Sequence, residues 1–193
     1  GIPPSKKAKL EKDLQTSKLD TGYDADVIEA IAEGVVFSSL DYLLKTHINR
    51  MAVLRPRVSA EDRAQAICNT FLLLGSMYDF NFDFADTSYQ CCTEVIYRSY
   101  NKRGGIDFKL VRRANVQTLA ADDIIGYHLA AKEPVFDFIL YAEENTASPI
   151  HQAMIFTGGE GAARLGKTMT EKPIELPQVD LKLPFKLPDI GRK

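Results

Sequence analysis

The stretch YQCCTEVIYRSY, residues 89–100, places two adjacent cysteines at the start of an apparent helix. Val95, Ile96 and Ser99 recur at helical spacing and supply an inward face, and Glu94 falls in the first turn. Unpaired backbone N–H groups and the helix dipole stabilise a thiolate at such a place, and the same N–H groups can form part of an oxyanion hole. The pattern therefore fits a nucleophilic thiol, but on spacing alone a structural cysteine is the more common interpretation.

Helices and strands surround this stretch in an irregular order. The predicted elements are a charged surface helix over 5–18, strands over 27–31 and 34–37, a short helix at 40–44, a strand at 50–55, a helix capped by Ser59 and closed by Gly75, an ordered loop over 76–90, a short helix at 120–125, strands over 135–142 and 151–157, a glycine turn at 158–161 and a last helix near 162–169. This mixture predicts an α+β domain in which helices pack on a modest antiparallel sheet.

The composition excludes several classes of protein. The chain has 193 residues, 45% of them hydrophobic and 26% charged, which suits one domain with a real core. A net charge of -2 without a basic stripe argues against a nucleic-acid partner. No apolar run is long enough to span a membrane, and no secretory signal opens the chain, which favours the cytoplasm. Since the chain does not begin with Met, we expect it to be processed or truncated.

The three cysteines and a nearby acidic cluster suggest neither disulfides nor a metal. Cys68, Cys91 and Cys92 are an odd number without metal-ligand spacing, so reduced thiols are expected, with Cys68 packed on the buried face of its helix. The carboxylates at 79, 83 and 86 lack the glycine and terminal glutamate of a calcium loop. We therefore expect no metal and no cofactor.

Two motifs in the correct order carry a resemblance to a known family. Residues 75–84 read GSMYDFNFDF, and residues 92–97 read CTEVIY. They resemble the Gly-x-x-Tyr-Asp-Phe loop and the Cys-Ser-Glu-Leu-Val-Tyr helix start of the YiiX-like permuted papain-fold amidases, the circularly permuted branch of the NlpC-type cysteine peptidases. With weaker matches elsewhere, the resemblance covers about residues 24–169. It implies a papain-like, circularly permuted NlpC-type antiparallel sheet packed with helices, and it implies Cys92 as the nucleophile.

The resemblance also implies an acid and a base. Glu29, in a strand reading VIEA, matches the acidic member of a catalytic triad. The base in this family is a histidine on an earlier strand, and no histidine precedes Glu29 here. We therefore expect either a missing N-terminal segment or a member without its base. His151 remains the substitute candidate, whereas His47 and His128 are interpreted as a loop residue and a helix-end residue.

These assignments predict a cysteine amidase or peptidase. Cys92 would attack an amide or acyl bond of a peptide-like or acyl small-molecule substrate, such as a cell-wall peptide, and form an acyl-enzyme. Tyr78 and Cys91 are the candidate substrate-binding residues, although Cys91 is also interpreted as a buried neighbour that could form an oxidised adduct with Cys92. The main alternative is a catalytically silent papain-fold binding module. A weaker third hypothesis is the handling of lipid or acyl chains.

Composition changes near the C-terminus. Prolines at 173, 177, 184 and 188 prevent a helix or a central strand there. We therefore divide the chain into a single papain-like domain over 1–172 and an extended tail over 173–193. The tail is interpreted as a docking arm for a protein partner or as a linker.

Overall fold

A computed structural model describes residues 3–46, 49–147 and 153–171. The helices are α1 Pro4–Asp13, α2 Leu40–Thr46, α3 Ala60–Leu73, α4 Cys92–Tyr100, α5 Ala121–Ala130 and α6 Gly158–Thr170. The strands are β1 Val27–Ile31, β2 Gly34–Ser38, β3 Arg50–Pro56, β4 Met77–Tyr78, β5 Tyr89–Gln90, β6 Val111–Arg113, β7 Val116–Thr118, β8 Phe136–Glu144 and β9 Ala153–Thr157. The predicted α+β class is confirmed. The predicted tail and the histidines His47 and His151 lie outside the described residues.

The largest sheet is antiparallel and has the order β3–β8–β9, with a bulge between Val53 and Leu54. Strands β1 and β2 form a separate hairpin in which Glu29 faces Val36. Helix α6 packs on β8, and α3 packs on α4. No helix among the described residues is long and apolar enough to cross a membrane.

A close backbone contact ties the β1–β2 hairpin to the segment that leads to α4. Gly34 has φ +110°, and a Cβ there would lie 2.4 Å from the Ser76 carbonyl oxygen, so only glycine fits. The Val35 N–H donates to that carbonyl at 2.9 Å, and the Gly75 N–H donates to the Val35 carbonyl at 2.9 Å. Strand β4 follows and pairs in parallel with β5, which ends one residue before the N-terminus of α4, with Cys91 between them. The predicted loop over 76–90 thus contains two short strands.

The buried face of α3 differs from the predicted one. Ile67, expected inside, is 42% exposed, Cys68 is half-buried, and Ala66 is fully buried. The reason is the close approach of α4, which selects small and hydroxylated side chains rather than large apolar ones. Thr70 Oγ1 lies 2.7 Å from Ser99 Oγ across this contact.

The structure also differs from the sequence prediction at two turns. The glycine turn predicted at 158–161 is the first turn of α6, and Gly161 is required there because a Cβ would lie 2.6 Å from the Phe156 carbonyl oxygen. The hairpin β6–β7 was not predicted. Its turn residues Ala114 and Asn115 both have positive φ, as a type I′ turn requires, but alanine at the first position is a weak sequence signal.

Helix α4 lies between two hydrophobic clusters. Val95 packs with Ala30 and Val35 on the side of the β1–β2 hairpin. Cys91, just before the helix, packs with Ile106 and Phe108 on the other side. The start of α4 is therefore held from both sides, which is how the fold positions the cysteine pair.

Candidate active site at the start of helix α4

The two adjacent cysteines occupy opposite environments. Cys91 precedes the helix as its N-cap residue and is fully buried, whereas Cys92 is the first helical residue and is exposed. Burial raises the pKa of the Cys91 thiol, although hydrogen bonds to Thr93 and from the Glu94 backbone oppose it. Cys91 therefore belongs to the core and offers no surface that a substrate can touch. Cys92 offers its thiol to solvent.

The first turn of α4 has free backbone donors beside Cys92. The N–H groups of Glu94 and Val95 donate to the Cys91 carbonyl at 3.1 and 3.2 Å. The N–H groups of Cys92 and Thr93 form no hydrogen bond with any described residue. Such unpaired donors are typical of a helix N-terminus and can stabilise a developing oxyanion.

Glu94 fixes the start of the helix through its side chain. Its Oε2 accepts the Cys91 N–H at 2.8 Å, and its Oε1 accepts from Arg98 at 3.0 Å. The Glu94 side chain is fully buried. Burial raises its pKa, and the Cys91 N–H and the Arg98 guanidinium oppose that rise while Asp79 adds to it. Glu94 is thus a positioning residue beneath the thiol.

Arg98 extends this anchor to the preceding loop. Its guanidinium donates to the carbonyls of Phe84 at 3.1 Å and Asp86 at 3.2 Å, and to Gln90 Oε1 at 3.3 Å. Gln90 is buried and donates to the Thr87 carbonyl at 3.1 Å. Neither Arg98 nor Gln90 stands out in the sequence pattern as a site residue. The four-residue spacing of Glu94 and Arg98 was the available signal.

Tyr78 lies close enough to Cys92 for their charges to interact. It pairs with Gln90 across β4 and β5. Burial raises the pKa of the Tyr78 hydroxyl, and the nearby Cys92, Cys91 and Asp79 raise it further. A neutral hydroxyl is a hydrogen-bond donor and acceptor.

An exposed aromatic loop surrounds Tyr78. Its ring meets Phe80 edge-on at 4.9 Å between centroids and Phe82 at 6.1 Å. Phe80 is 69% exposed, and Phe82 adopts the left-handed φ of 54°. The loop is held by Asp79, whose oxygens accept the N–H groups of Asn81 and Asp83 at 2.8 and 2.7 Å.

Asp79 also belongs to the acidic cluster at residues 79, 83 and 86. The Asp79 carboxylate is buried and serves the backbone of its own loop. Within the described ranges, no group of three His, Cys, Asp or Glu residues has a geometry that could hold a metal ion.

No hydrogen bond joins Glu29 to Cys92 in this arrangement. It is half-buried on β1, and it forms no hydrogen bond or ion pair with a described residue. Successive side chains of a strand point to opposite faces. Ile28 and Ala30 pack toward Val95 of α4, so Glu29 lies on the other face of the hairpin.

One histidine falls within the described ranges. His128 lies near the end of α5, edge-on to Phe136 at 6.2 Å between ring centroids. Burial lowers its pKa, and Arg57 lowers it further. Its buried Nδ1 has no hydrogen-bond partner in the described part of the chain, and no hydrogen bond joins it to Cys92. The described residues therefore bring together Cys92, Tyr78 and the Glu94–Arg98 anchor, but no base.

The chain is similar to one family of known enzymes. A family model described as the permuted papain-like amidase enzymes of the YaeF/YiiX type, family C92, matches residues 13–139 (the family's number coincides with that of Cys92 by chance). The match includes Glu29, the loop with Tyr78 and all of α4. No curated protein and no solved structure matches the chain significantly.

Proposed function

This chain belongs to the permuted papain-like amidase family, and we propose from that premise that it is a cysteine amidase or peptidase with Cys92 as its nucleophile. Its fold is accordingly the circularly permuted papain-like α+β fold. The observation that carries the proposal is the exposed thiol of Cys92 at the first position of α4. Cys91 is buried, so it does not compete for substrate.

The reaction is nucleophilic catalysis through an acyl-enzyme. The Cys92 thiolate attacks the carbonyl carbon, and a carbon–sulfur bond forms while the carbonyl oxygen gains negative charge. The N–H groups of Cys92 and Thr93 are the donors available to that oxygen. The carbon–nitrogen bond then breaks, and the amine leaves with a proton. Water hydrolyses the thioester to a carboxylic acid and restores the thiol.

The proton transfers need a base, which we assign to a histidine. His151 is the candidate in this sequence, and the resemblance implies one on a strand before β1. Glu29 is assigned to orient that imidazole through a hydrogen bond. Tyr78 is assigned to orient the substrate, since burial and the nearby Cys92 raise the pKa of its hydroxyl and keep it neutral. The substrate class is a peptide-like or acyl molecule, with cell-wall peptides as one example.

A silent binding module is the second candidate function. The observation that favours it is that His128 forms no hydrogen bond with Cys92 and that Glu29 lies on the opposite face of its hairpin from α4. In that case the domain would bind a partner, with the proline-rich tail as a docking arm.

Acylation by p-nitrophenyl acetate separates the two. The enzyme should release p-nitrophenol continuously, and mass spectrometry of quenched samples should find an acetyl group on Cys92. Cys92→Ser should abolish both signals, whereas Cys68→Ser should leave them unchanged. Stoichiometric acetylation without turnover would favour the silent module. Acetylation no faster at Cys92 than at Cys68 would contradict an activated thiol.

A further inference from the structure

Two large apolar side chains stand in solvent near the start of α4. Phe80 is 69% exposed and Phe82 is 44% exposed, and both belong to the loop that joins β4 to β5. A single exposed apolar residue is ordinary on a protein surface, whereas a cluster of them is a feature of ligand-binding surfaces. The reaction proposed above uses Cys92 and Tyr78 and leaves the two phenylalanines without a role.

The two phenylalanine rings form one surface with Tyr78. The Tyr78 ring meets that of Phe80 at an interplanar angle of 62° and that of Phe82 at 88°. Such edge-to-face arrangements are favourable for aromatic pairs. Tyr78 is half-buried, whereas the two phenylalanines are exposed. Together Tyr78, Phe80 and Phe82 form an aromatic wall that is anchored at the tyrosine and open to solvent.

The backbone of the loop holds the aromatic wall in place. The Asp79 carboxylate is buried and accepts the N–H groups of Asn81 and Asp83, and the Asp79 N–H donates to the Gln90 carbonyl at 3.3 Å. Phe82 has φ +54°, in the left-handed region that costs an L-residue about 1 to 2 kcal/mol. The loop therefore keeps exposed aromatic rings at the expense of backbone strain, which is typical of functional sites.

The aromatic wall lies within reach of a molecule bound at Cys92. Tyr78 pairs with Gln90 across β4 and β5, so their Cα atoms are about 5 Å apart. Cys92 follows two residues after Gln90, and consecutive Cα atoms are about 3.8 Å apart. The Cα atoms of Tyr78 and Cys92 are therefore at most about 13 Å apart. A substrate that presents its carbonyl group to the Cys92 thiol can place a neighbouring group on the wall.

The charges of the loop favour a neutral occupant. Residues 75–91 contain three aspartates and no lysine or arginine. Arg98 reaches this loop, but its guanidinium already donates to Glu94 and to two loop carbonyls. A carboxylate next to the scissile bond would meet negative charge without a free cationic partner in this loop. An aromatic or large aliphatic group would cover the rings without that repulsion.

We propose that Phe80 and Phe82 determine specificity, and that with Tyr78 they bind an aromatic or large apolar group of the substrate next to the bond that Cys92 attacks. This inference rests on the proposed function, in which Cys92 is the nucleophile. It narrows the substrate class from any peptide-like or acyl molecule to those with a neutral apolar group at this position. Substrates with a short or an acidic group there are disfavoured.

Alkylation of Cys92 tests the aromatic wall without requiring catalysis. The reagents are iodoacetamide and its N-phenylalkyl derivatives with one to four methylene groups before the ring. In each case the thiolate displaces iodide and forms a thioether, which mass spectrometry measures over time. The protein carries Cys68→Ser, and Cys91 is buried, so Cys92 is the exposed thiol.

Each alkylation rate is divided by the rate of the same reagent with glutathione, which corrects for intrinsic reactivity. We expect at least one N-phenylalkyl reagent to react at least about fivefold faster than iodoacetamide after this correction, because its ring covers exposed apolar surface. The absence of a preference at every linker length would overturn the proposal.

Alanine variants identify the residues responsible. The preference should fall at least about threefold in Phe80→Ala and in Phe82→Ala. Met77→Ala is the matched control, because Met77 is 62% exposed and precedes Tyr78 on β4, so its side chain lies on the opposite face. This control should retain the preference. An equal fall in Met77→Ala would overturn the assignment, and so would a preference that falls as protein concentration rises, which would make a second copy the occupant.

Failure of this proposal and failure of the proposed reaction give different results. Hydrolysis of p-nitrophenyl acetate without any phenylalkyl preference would support the cysteine amidase and overturn the aromatic wall. A phenylalkyl preference that falls in Phe80→Ala, without hydrolysis, would support the aromatic wall as a binding surface and favour the silent module.

Discussion

Helices α4 and α5 begin with the same device in different surroundings. At each start, a carboxylate three residues after the N-cap accepts the N-cap N–H: Glu94 from Cys91 at 2.8 Å, and Asp123 from Ala120 at 2.7 Å. Each carboxylate also pairs with an arginine, Arg98 or Arg113. The Glu94 side chain is fully buried, whereas that of Asp123 is 21% exposed.

These surroundings shift the pKa values of the two carboxyl groups in opposite directions. Burial raises the pKa of Glu94 despite its partners. The hydrogen bonds from Arg113 lower the pKa of Asp123, and its slight burial opposes them only in part. The start of α5 is thus an ordinary solvated cap. The start of α4 instead places the Glu94 carboxylate in the interior beside the exposed Cys92. Burial of a charge costs desolvation free energy, which the solvated start of α5 largely avoids.

Loss of the buried ion pair should have the largest effect on stability. Arg98→Met leaves the Glu94 charge without its partner and frees the loop carbonyls of Phe84 and Asp86. We expect the free energy of unfolding to fall by about 3 kcal/mol, because breaking a buried pair strands a charge in the interior. Urea denaturation measures this loss. Arg113→Met is the matched control and should lower the free energy of unfolding clearly less. Equal losses in the two variants would contradict the difference between the two helix starts.

The second-largest expected effect is a difference in unfolding free energy between Cys91→Ala and Cys92→Ala. Cys91→Ala removes a fully buried sulfur and leaves a small cavity, so we expect a loss of about 1 kcal/mol in the free energy of unfolding. Cys92→Ala removes an exposed thiol and should change that free energy by less than about 0.5 kcal/mol. The same denaturation experiment compares them. A larger loss for Cys92→Ala would mean that its side chain supports the fold.

The sequence predicted the position of α4 and of the longer helices and strands because these follow local rules. Helical spacing and the acidic first turn indicate the helix without reference to the rest of the fold. The exposed face of α3 and the hairpin β6–β7 could not be predicted in this way. The burial of Ala66 rather than Ile67 depends on the approach of α4, which is a tertiary contact.

The candidate site was predictable only in part from the sequence. The family resemblance of two motifs implies Cys92 and Tyr78 as site residues, and Cys92 is among the groups that raise the pKa of Tyr78. The arginine that supports them was missed, because the acceptors of Arg98 are mostly backbone carbonyls of a loop and leave no pattern in the side chains. A base was not found among the described residues, and His151 stays a prediction.

A smaller effect is expected in the pH dependence, with opposite signs at the two helix starts. A raised pKa means that the stability contributed by Glu94 is complete below its ordinary 4.5 and is lost as pH rises through the folded value. A lowered pKa means that the contribution of Asp123 is complete above its ordinary 3.8 and is lost as pH falls. The difference in unfolding free energy between the protein and Glu94→Gln should therefore shrink as pH rises above 4.5. The difference for Asp123→Asn should shrink in the other direction, and slopes of the same sign would contradict the assignment.

The smallest effect on stability is expected at a third carboxylate, Glu29, which has neither a backbone N–H donor nor an arginine partner among the described residues. Glu29 accepts no hydrogen bond and pairs with no arginine among the described residues, so Glu29→Gln should change the free energy of unfolding by less than about 0.5 kcal/mol. Its proposed role requires the charge, because an amide cannot stabilise an imidazolium as a carboxylate does. We therefore expect at least about a tenfold loss in p-nitrophenyl acetate hydrolysis without a loss of stability. Glu33→Gln, in the exposed turn of the same hairpin, is the control and should alter neither quantity. A carboxylate that stabilises nothing in the fold is free to serve a reaction, and unchanged hydrolysis in Glu29→Gln would leave it as an edge residue of β1.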